Sequence, residues 1–138
     1  MKKVLVAHDG SKSSDKAVKK AFEIARKFNS SVTVISVIPE LYLTELMEMD
    51  RIRILQTLKD EAKKTLEKIR KNAAGIRQIK TIIREGNAAE EILKAAGTMR
   101  ADVIITGSHG RHGAQKFLLG SVSSKIVDHA ECSVLVVK

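Results

Sequence analysis

The sequence predicts an α/β fold in which helices cover both faces of one open, parallel, five-stranded sheet. Short runs rich in valine and isoleucine alternate along the chain with longer segments of amphipathic helical spacing. The apolar residues of the short runs occupy consecutive positions, which is typical of parallel strands buried on both faces. The 138 residues suffice for one domain, which we expect to span residues 1–138.

The first strand is predicted at Val4 to Ala7, where an apolar run ends at an Asp-Gly-Ser sequence. Apolar residues then recur at helical spacing from Ala17 to Phe28, with lysines and arginines between them. Ser31 to Ile38 is rich in β-branched residues and predicts the second strand, which Pro39 ends.

A long helical pattern follows from Thr44 to Ala73, and Gly75 is a suitable stop. Its beginning overlaps the segment Leu41–Met49, whose denser apolar residues are compatible with a separate turn or a lid. Ile79 to Ile83 predicts the third strand.

The last part of the chain repeats the alternation of helix and strand. Asn87 stands three positions before Glu90, which resembles a capping box at a helix start, and Gly97 is the predicted end of that helix. The remaining predicted elements are a strand at residues 102–106, a helix at 121–129 and a strand at 134–137.

The amino-acid composition makes several classes of protein function unlikely. Aromatic residues make up 3% of the chain, too few for the base-stacking platform of many RNA-binding domains. The net charge of +9 is spread over helices, so a solvated basic surface is favoured and nucleic acid is an unlikely partner. No apolar stretch approaches the roughly 18 residues of a membrane span, and the first residues do not form a signal peptide. We therefore expect a cytoplasmic protein.

A glycine-rich loop after the fourth strand gives the strongest local signal for a ligand. Gly107 and Gly110 are followed, after nine residues, by Gly120 and Ser121 at the start of a helix. Glycines allow a backbone to approach an anion closely, and a helix start presents free N–H groups and a positive dipole end. The alternative is that these glycines only form turns and that Ser121 only caps the helix.

Side chains of the same loop agree with a phosphate ligand. Arg111 offers a bidentate cation, and Ser121 and Ser123 offer hydroxyl donors. The spacing of the P-loop and of the dinucleotide fingerprint is absent. His109 and His112 lie in a glycine-rich loop without a third ligand, so a transition-metal site is not expected.

Asp9, at the end of the first strand, is the second candidate site residue. Its carboxylate is suited to a ribose hydroxyl, an adenine amino group or a phosphate-bound Mg²⁺. The structural alternative is an Asx turn or a cap of the following helix. Val37 ends the second strand in the same layer, although its pattern alone indicates an ordinary core residue.

The spacing of Gly107, Gly110 and Gly120-Ser121, the Asp9-Gly10-Ser11 turn and the final apolar strand together resemble the universal stress protein family. The resemblance covers nearly the whole chain. It implies a Rossmann-like sheet in the order 3-2-1-4-5 and, for the subgroup with this glycine pattern, ATP binding with Mg²⁺. The residues that it implies for nucleotide binding are Ala7, Asp9, Val37, Gly107, Ser108, His109, Gly110, Arg111, Gly120, Ser121, Val122 and Ser123.

The family commonly forms homodimers through the last strand, and an exposed apolar edge at Val134–Val137 would favour such pairing. Two departures from the family pattern are Ser133, where many relatives have proline, and Pro39, where an acidic residue is common. Neither removes a predicted contact.

The sequence thus indicates an ATP-binding regulatory protein acting in stress response or signalling, with slow hydrolysis at most. No general base or arginine finger can be placed, so an enzyme is not expected. An adenine-nucleotide hydrolase or transferase of the same architecture, and a basic nucleic-acid-binding module, remain the alternatives.

Overall fold

The computed structural model describes residues 1–40, 48–109 and 118–138. Strands and helices alternate throughout these residues, as the apolar spacing predicted. The elements are β1 (Lys3–Ala7), α1 (Lys12–Phe28), β2 (Ser31–Ile38), α2 (Glu48–Lys71), β3 (Gln78–Glu85), α3 (Ala88–Met99), β4 (Val103–Gly107), α4 (Ser121–His129) and β5 (Ser133–Val137).

The five strands form one parallel sheet in the order β3-β2-β1-β4-β5, which confirms the predicted fold class and strand order. The central strand β1 pairs Val4 with Val32 of β2 and with Val103 of β4. From β1 the chain adds β2 and β3 on one side of the central strand, and it then adds β4 and β5 on the other side. The strand order therefore reverses between β1 and β4.

Two apolar layers enclose the sheet. Val4 and Val6 of β1 pack with residues of α1 on one face, while Leu5 packs with residues of α3 and α4 on the other. All three side chains are fully buried. Consecutive apolar residues in the sequence therefore reflect burial on both faces, as predicted.

The ends of two helices differ from their prediction. Gly97 does not end α3, which continues to Met99 and stops where Arg100 takes a left-handed conformation with φ of 53°. The Arg100 N–H donates to the carbonyls of Ala96 and Gly97, so the helical hydrogen bonds run past the glycine. Likewise α2 ends at Lys71, and Gly75 lies in the following turn with φ of 82°.

Two other predicted boundaries concern the beginnings of helices. The Asn87 side chain caps α3 by accepting the N–H of Glu90 at 3.1 Å, as the capping-box spacing indicated. The predicted start of the long helix at Thr44, and most of the segment Leu41–Met49, lie outside the described residues. Among the described helices, none has the length and apolar character needed to cross a membrane.

Candidate functional site

The carboxyl ends of β1 and β4 meet at the point where the strand order reverses, and a cleft opens there. In open α/β sheets this is the usual position of a ligand. Residues of β1, β2, β4, α1, α3 and α4, with the loops beside them, contribute to the cleft. The lining residues are Ala7, His8, Asp9, Ser14, Ile35, Val37, Ala88, Ile92, Thr106, Gly107, His109, Gly120, Ser121, Val122 and Ser123.

Asp9 occupies a tight turn between β1 and α1. Its carboxylate accepts the N–H of Ser11 at 2.9 Å, so the Asx turn considered as an alternative is formed. The Asp9 N–H donates to the Ser14 hydroxyl at 3.3 Å. Partial desolvation raises the pKa of the Asp9 carboxyl, but hydrogen bonds from Ser11 and Ser14 and the charge of His8 outweigh it and lower the pKa. The carboxylate is therefore ionised at neutral pH and belongs to the cleft as well as to the turn.

His8 is a cleft residue that the sequence prediction left out of the site. Its side chain is buried, and Nε2 lies 2.7 Å from Oδ1 of Asp15 in the first turn of α1. The backbone N–H of His8 donates to the carbonyl of Ile35 at 2.9 Å. No local spacing rule pairs these two side chains, because the contact depends on how α1 packs against the end of β1.

Gly107, the last residue of β4, lies against the beginning of α1. A Cβ atom at this position would collide with the Ser13 hydroxyl and come within 2.8 Å of the Ser13 carbonyl carbon. The glycine is therefore required for close packing of β4 on α1, whether or not a ligand is bound. The His109 N–H also donates to the Ser13 hydroxyl, at 3.4 Å, which ties the loop after β4 to the same helix start.

The N-terminus of α4 opens onto the cleft without a side-chain cap. Its N-cap residue is Gly120, which has no side chain to accept a hydrogen bond, and the first turn contains no acidic residue. The first helical residue is Ser121, so the alternative in which Ser121 caps the helix is not observed. The N–H groups of the first turn are the ones that a helix cannot satisfy by itself.

The hydroxyl of Ser123 is directed at backbone carbonyls. It lies 3.1 Å from the carbonyl of Gly120 and 3.3 Å from that of Ser108, and the Ser123 side chain is buried. A hydroxyl has one hydrogen to donate, which these two acceptors share. Ser123 therefore holds the loop against the helix through its side chain.

The structure brings nine of the predicted site residues together in the cleft. Ser108 is a neighbour of the cleft and does not line it; its side chain is buried, with Oγ 2.8 Å from Nδ1 of His109. Gly110 and Arg111 lie outside the described residues. The nine residues in the cleft are Ala7, Asp9, Val37, Gly107, His109, Gly120, Ser121, Val122 and Ser123.

An apolar wall completes the cleft, and three of its four residues, Ile35, Ala88 and Ile92, were not predicted as part of the site. It combines Ile35 and Val37 of β2 with Ala88 and Ile92 of α3. Their apolar pattern indicates core residues, and the sequence contains no signal that separates a core position from a wall of the cleft. Within the described ranges, no group of three or more His, Cys, Asp or Glu side chains is placed to bind a metal ion.

Comparison with known proteins gives the family. The model of the universal stress protein family matches residues 1–138. This chain belongs to the universal stress protein family. Universal stress protein MJ0531 of Methanocaldococcus jannaschii is 37% identical over 140 residues, a match that covers 99% of this chain and 82% of that protein.

Solved structures of the family share the fold. Universal stress protein UspA from Lactobacillus plantarum superposes with a TM-score of 0.93 at 26% sequence identity. The match covers 99% of this chain and 97% of the UspA chain. A universal stress protein in complex with cAMP has a TM-score of 0.74 at 24% identity, and the match covers 99% of this chain and 97% of that one. The Archaeoglobus fulgidus universal stress protein in complex with dAMP has a TM-score of 0.63 at 20% identity, and the match covers 100% of this chain and 98% of that one.

Proposed function

We propose that this chain is a cytoplasmic regulatory protein that binds ATP, as the Mg²⁺ complex, in the cleft between β1 and β4, and that it acts in stress response or signalling. One observation carries the proposal: the uncapped N-terminus of α4 and the ionised Asp9 open onto the same cleft at the reversal of strand order. A helix start without its own acceptor attracts a phosphate, whereas a carboxylate suits hydroxyl and amino groups.

The phosphate groups are assigned to the α4 side of the cleft. Backbone N–H groups of Ser121, Val122 and Ser123 supply the donors there, and the Ser121 hydroxyl adds another. The Ser123 hydroxyl already donates to carbonyls, so we assign only its N–H to the ligand. Gly110 and Arg111, which lie outside the described residues, belong to the same proposed set, with Gly107, Ser108, His109 and Gly120.

The adenosine part is assigned to the β1 and β2 side. Ala7 and Val37 border the apolar wall, which offers a surface for the adenine ring, and Asp9 accepts a hydroxyl or amino hydrogen. Asp9 is also the one carboxylate among the described lining residues. Mg²⁺ is commonly held by one or two carboxylates together with the substrate phosphates, so a Mg²⁺–ATP complex fits this donor set.

The proposed activity is binding, with hydrolysis slow at most. Asp9 is a weak proton acceptor because its pKa lies below the ordinary carboxyl value. His8 is paired with Asp15 and is held by the packing of α1. We therefore assign neither group as the base of a rapid hydrolase. The family match and the cAMP and dAMP complexes of two proteins with this fold support an adenine-nucleotide ligand.

The test removes one N–H donor while sparing the helix. Proline is well tolerated at the first position of a helix, and Gly120 has φ of −60° and ψ of 161°, a conformation that a following proline allows. We expect Ser121→Pro to weaken ATP binding by at least about tenfold, since a hydrogen bond to a charged group contributes about 1.5–3 kcal/mol. Calorimetry with Mg²⁺–ATP measures the change.

Ser121→Ala is the matched control, because it removes the hydroxyl and keeps the N–H. Adenosine, which lacks the phosphates, is the matched ligand and should bind Ser121→Pro and wild type alike. Equal ATP affinity of Ser121→Pro and Ser121→Ala would contradict the phosphate assignment. A wild-type protein that does not bind ATP would overturn the proposed function itself.

We also propose a homodimer that pairs the two β5 strands. Among the described strands, β5 pairs with β4 alone, and its residues Val134 to Val137 are only partly covered. Pairing would satisfy the open backbone edge and bury apolar side chains. Sedimentation velocity at micromolar concentration tests this, and a monomer would speak against it.

A further inference from the structure

Ser108 joins the phosphate end of the cleft to the edge of the sheet. Four residues form what we call the Ser108 junction: Ser108, Gly120, Ser123 and Val137. We infer that this junction positions the N-terminus of α4 and transmits phosphate binding to the edge strand β5. The inference rests on the proposed function, since it concerns how that nucleotide site is held and what its occupation does.

One side of the junction reaches β5. The Ser108 N–H donates to the carbonyl of Val137 at 2.9 Å, just beyond the last paired residues of the two strands, Gly107 and Val137. This bond closes the last pair of the ladder between β4 and β5. The order of the sheet leaves β5 without a second neighbour in the described chain, so its end depends on the bonds that β4 and Ser108 provide.

The other side of the junction holds the start of α4. The carbonyl of Ser108 accepts the N–H of Gly120 at 2.7 Å and lies 3.3 Å from the Ser123 hydroxyl. Gly120 is the N-cap, and α4 has no side-chain cap to fix its first turn. The direction of the N–H groups at Ser121 to Ser123 is therefore set largely by these bonds.

Burial makes the junction stiff. Ser108 and Ser123 are 4% and 3% exposed, and every buried side-chain polar atom in the described residues has a hydrogen-bond partner. An opening of the junction would leave buried donors and acceptors unpaired, which is costly. A phosphate that binds the first turn of α4 opposes such openings, and an opening that displaces Ser108 also breaks its bond to Val137. Occupation of the phosphate site should therefore stabilise β5.

Hydrogen exchange at residue resolution tests the inference on the wild-type protein. With ATP at about 100 times its Kd, openings that break the site become up to about 100-fold rarer. We expect the amides of Ser108 and β5 to exchange at least about tenfold more slowly with Mg²⁺–ATP. β3 is the internal control, because it is the opposite edge strand of the same sheet and is separated from β4 by β2 and β1. It should slow much less, and adenosine should not slow β5 selectively.

A pair of variants tests the junction directly. Ser123→Ala removes the hydroxyl that bridges the carbonyls of Ser108 and Gly120. We expect this variant to lose most of the ATP-induced slowing of hydrogen exchange in β5. It should also bind ATP about fivefold more weakly, with its affinity for adenosine unchanged. Ser124→Ala, one residue further along α4, removes a hydroxyl outside the junction and should behave as wild type.

The outcomes separate the two proposals. If wild type binds ATP but β5 and β3 slow equally, or if Ser123→Ala keeps the selective slowing, the junction does not transmit binding and the inference is wrong. If wild type does not bind ATP, the proposed function fails, and the inference falls with it.

Discussion

Helices α1 and α4 both begin at the carboxyl edge of the sheet, beside the same cleft, yet their first turns differ. α1 is capped by Ser11, whose hydroxyl accepts the N–H of Ser14 at 3.1 Å, and Asp15 adds a negative charge to its first turn. α4 begins at Gly120 with neither a capping side chain nor an acidic residue. The first helix start is capped within the protein, whereas the second has no side-chain cap and is the proposed phosphate site.

The largest expected effect comes from making α4 resemble α1. Gly120→Asp introduces a carboxylate cap at a position whose backbone conformation accepts one. Two like charges about 4 Å apart repel by roughly 4 kcal/mol at an effective dielectric of about 20, so we expect ATP affinity to fall by at least about 30-fold. The unfolding free energy should change by only a few tenths of a kcal/mol. Calorimetry and urea unfolding measure the two quantities.

Gly120→Asn separates charge from capping in this experiment. It offers the same cap geometry without the negative charge, so its loss of affinity should be clearly smaller than that of Gly120→Asp. If both variants keep the wild-type affinity, the start of α4 does not receive the phosphates.

An intermediate effect is expected where β4 approaches the capped helix. Gly107→Ala places a Cβ against Ser13 of α1, and we expect it to lower the unfolding free energy by about 1–3 kcal/mol because rigid backbone must move. Gly97→Ala is the matched control. Its Cβ meets nothing within 4 Å and lies inside α3, so it should raise stability by about 0.5–1 kcal/mol. Urea unfolding of both variants checks the opposite signs.

The smallest effect concerns the pH dependence of the turn before α1. The pKa of Asp9 lies below its ordinary value of 3.8, so the ionised carboxylate favours the folded state. This contribution is complete above pH 3.8 and is lost as the pH falls through the folded-state pKa. The difference in unfolding free energy between wild type and Asp9→Asn should be constant from neutral pH to about pH 5 and shrink below pH 4. A difference that grows on acidification would contradict the pKa direction.

The sequence predicted the fold and the order of its elements well, because both depend on short-range patterns. Alternating apolar runs predicted the strand and helix order, and the glycine spacing with Asp9 pointed to the loops that do meet in one cleft. The helix end at Gly97 was predicted wrongly, because favourable helical hydrogen bonds continued to Arg100, a residue that rarely takes a left-handed conformation.

The sequence by itself determined the alternation of elements, the parallel sheet and the candidate loops, since apolar periodicity and glycine positions act over a few residues. Only the tertiary structure decided which polar groups are already engaged. The contacts of His8 with Asp15, Gly107 with Ser13, and Ser108 with Val137 depend on how the elements pack. Tertiary packing thus distinguishes the satisfied start of α1 from the open start of α4, because hydrogen-bond partners distant in sequence follow no local spacing rule.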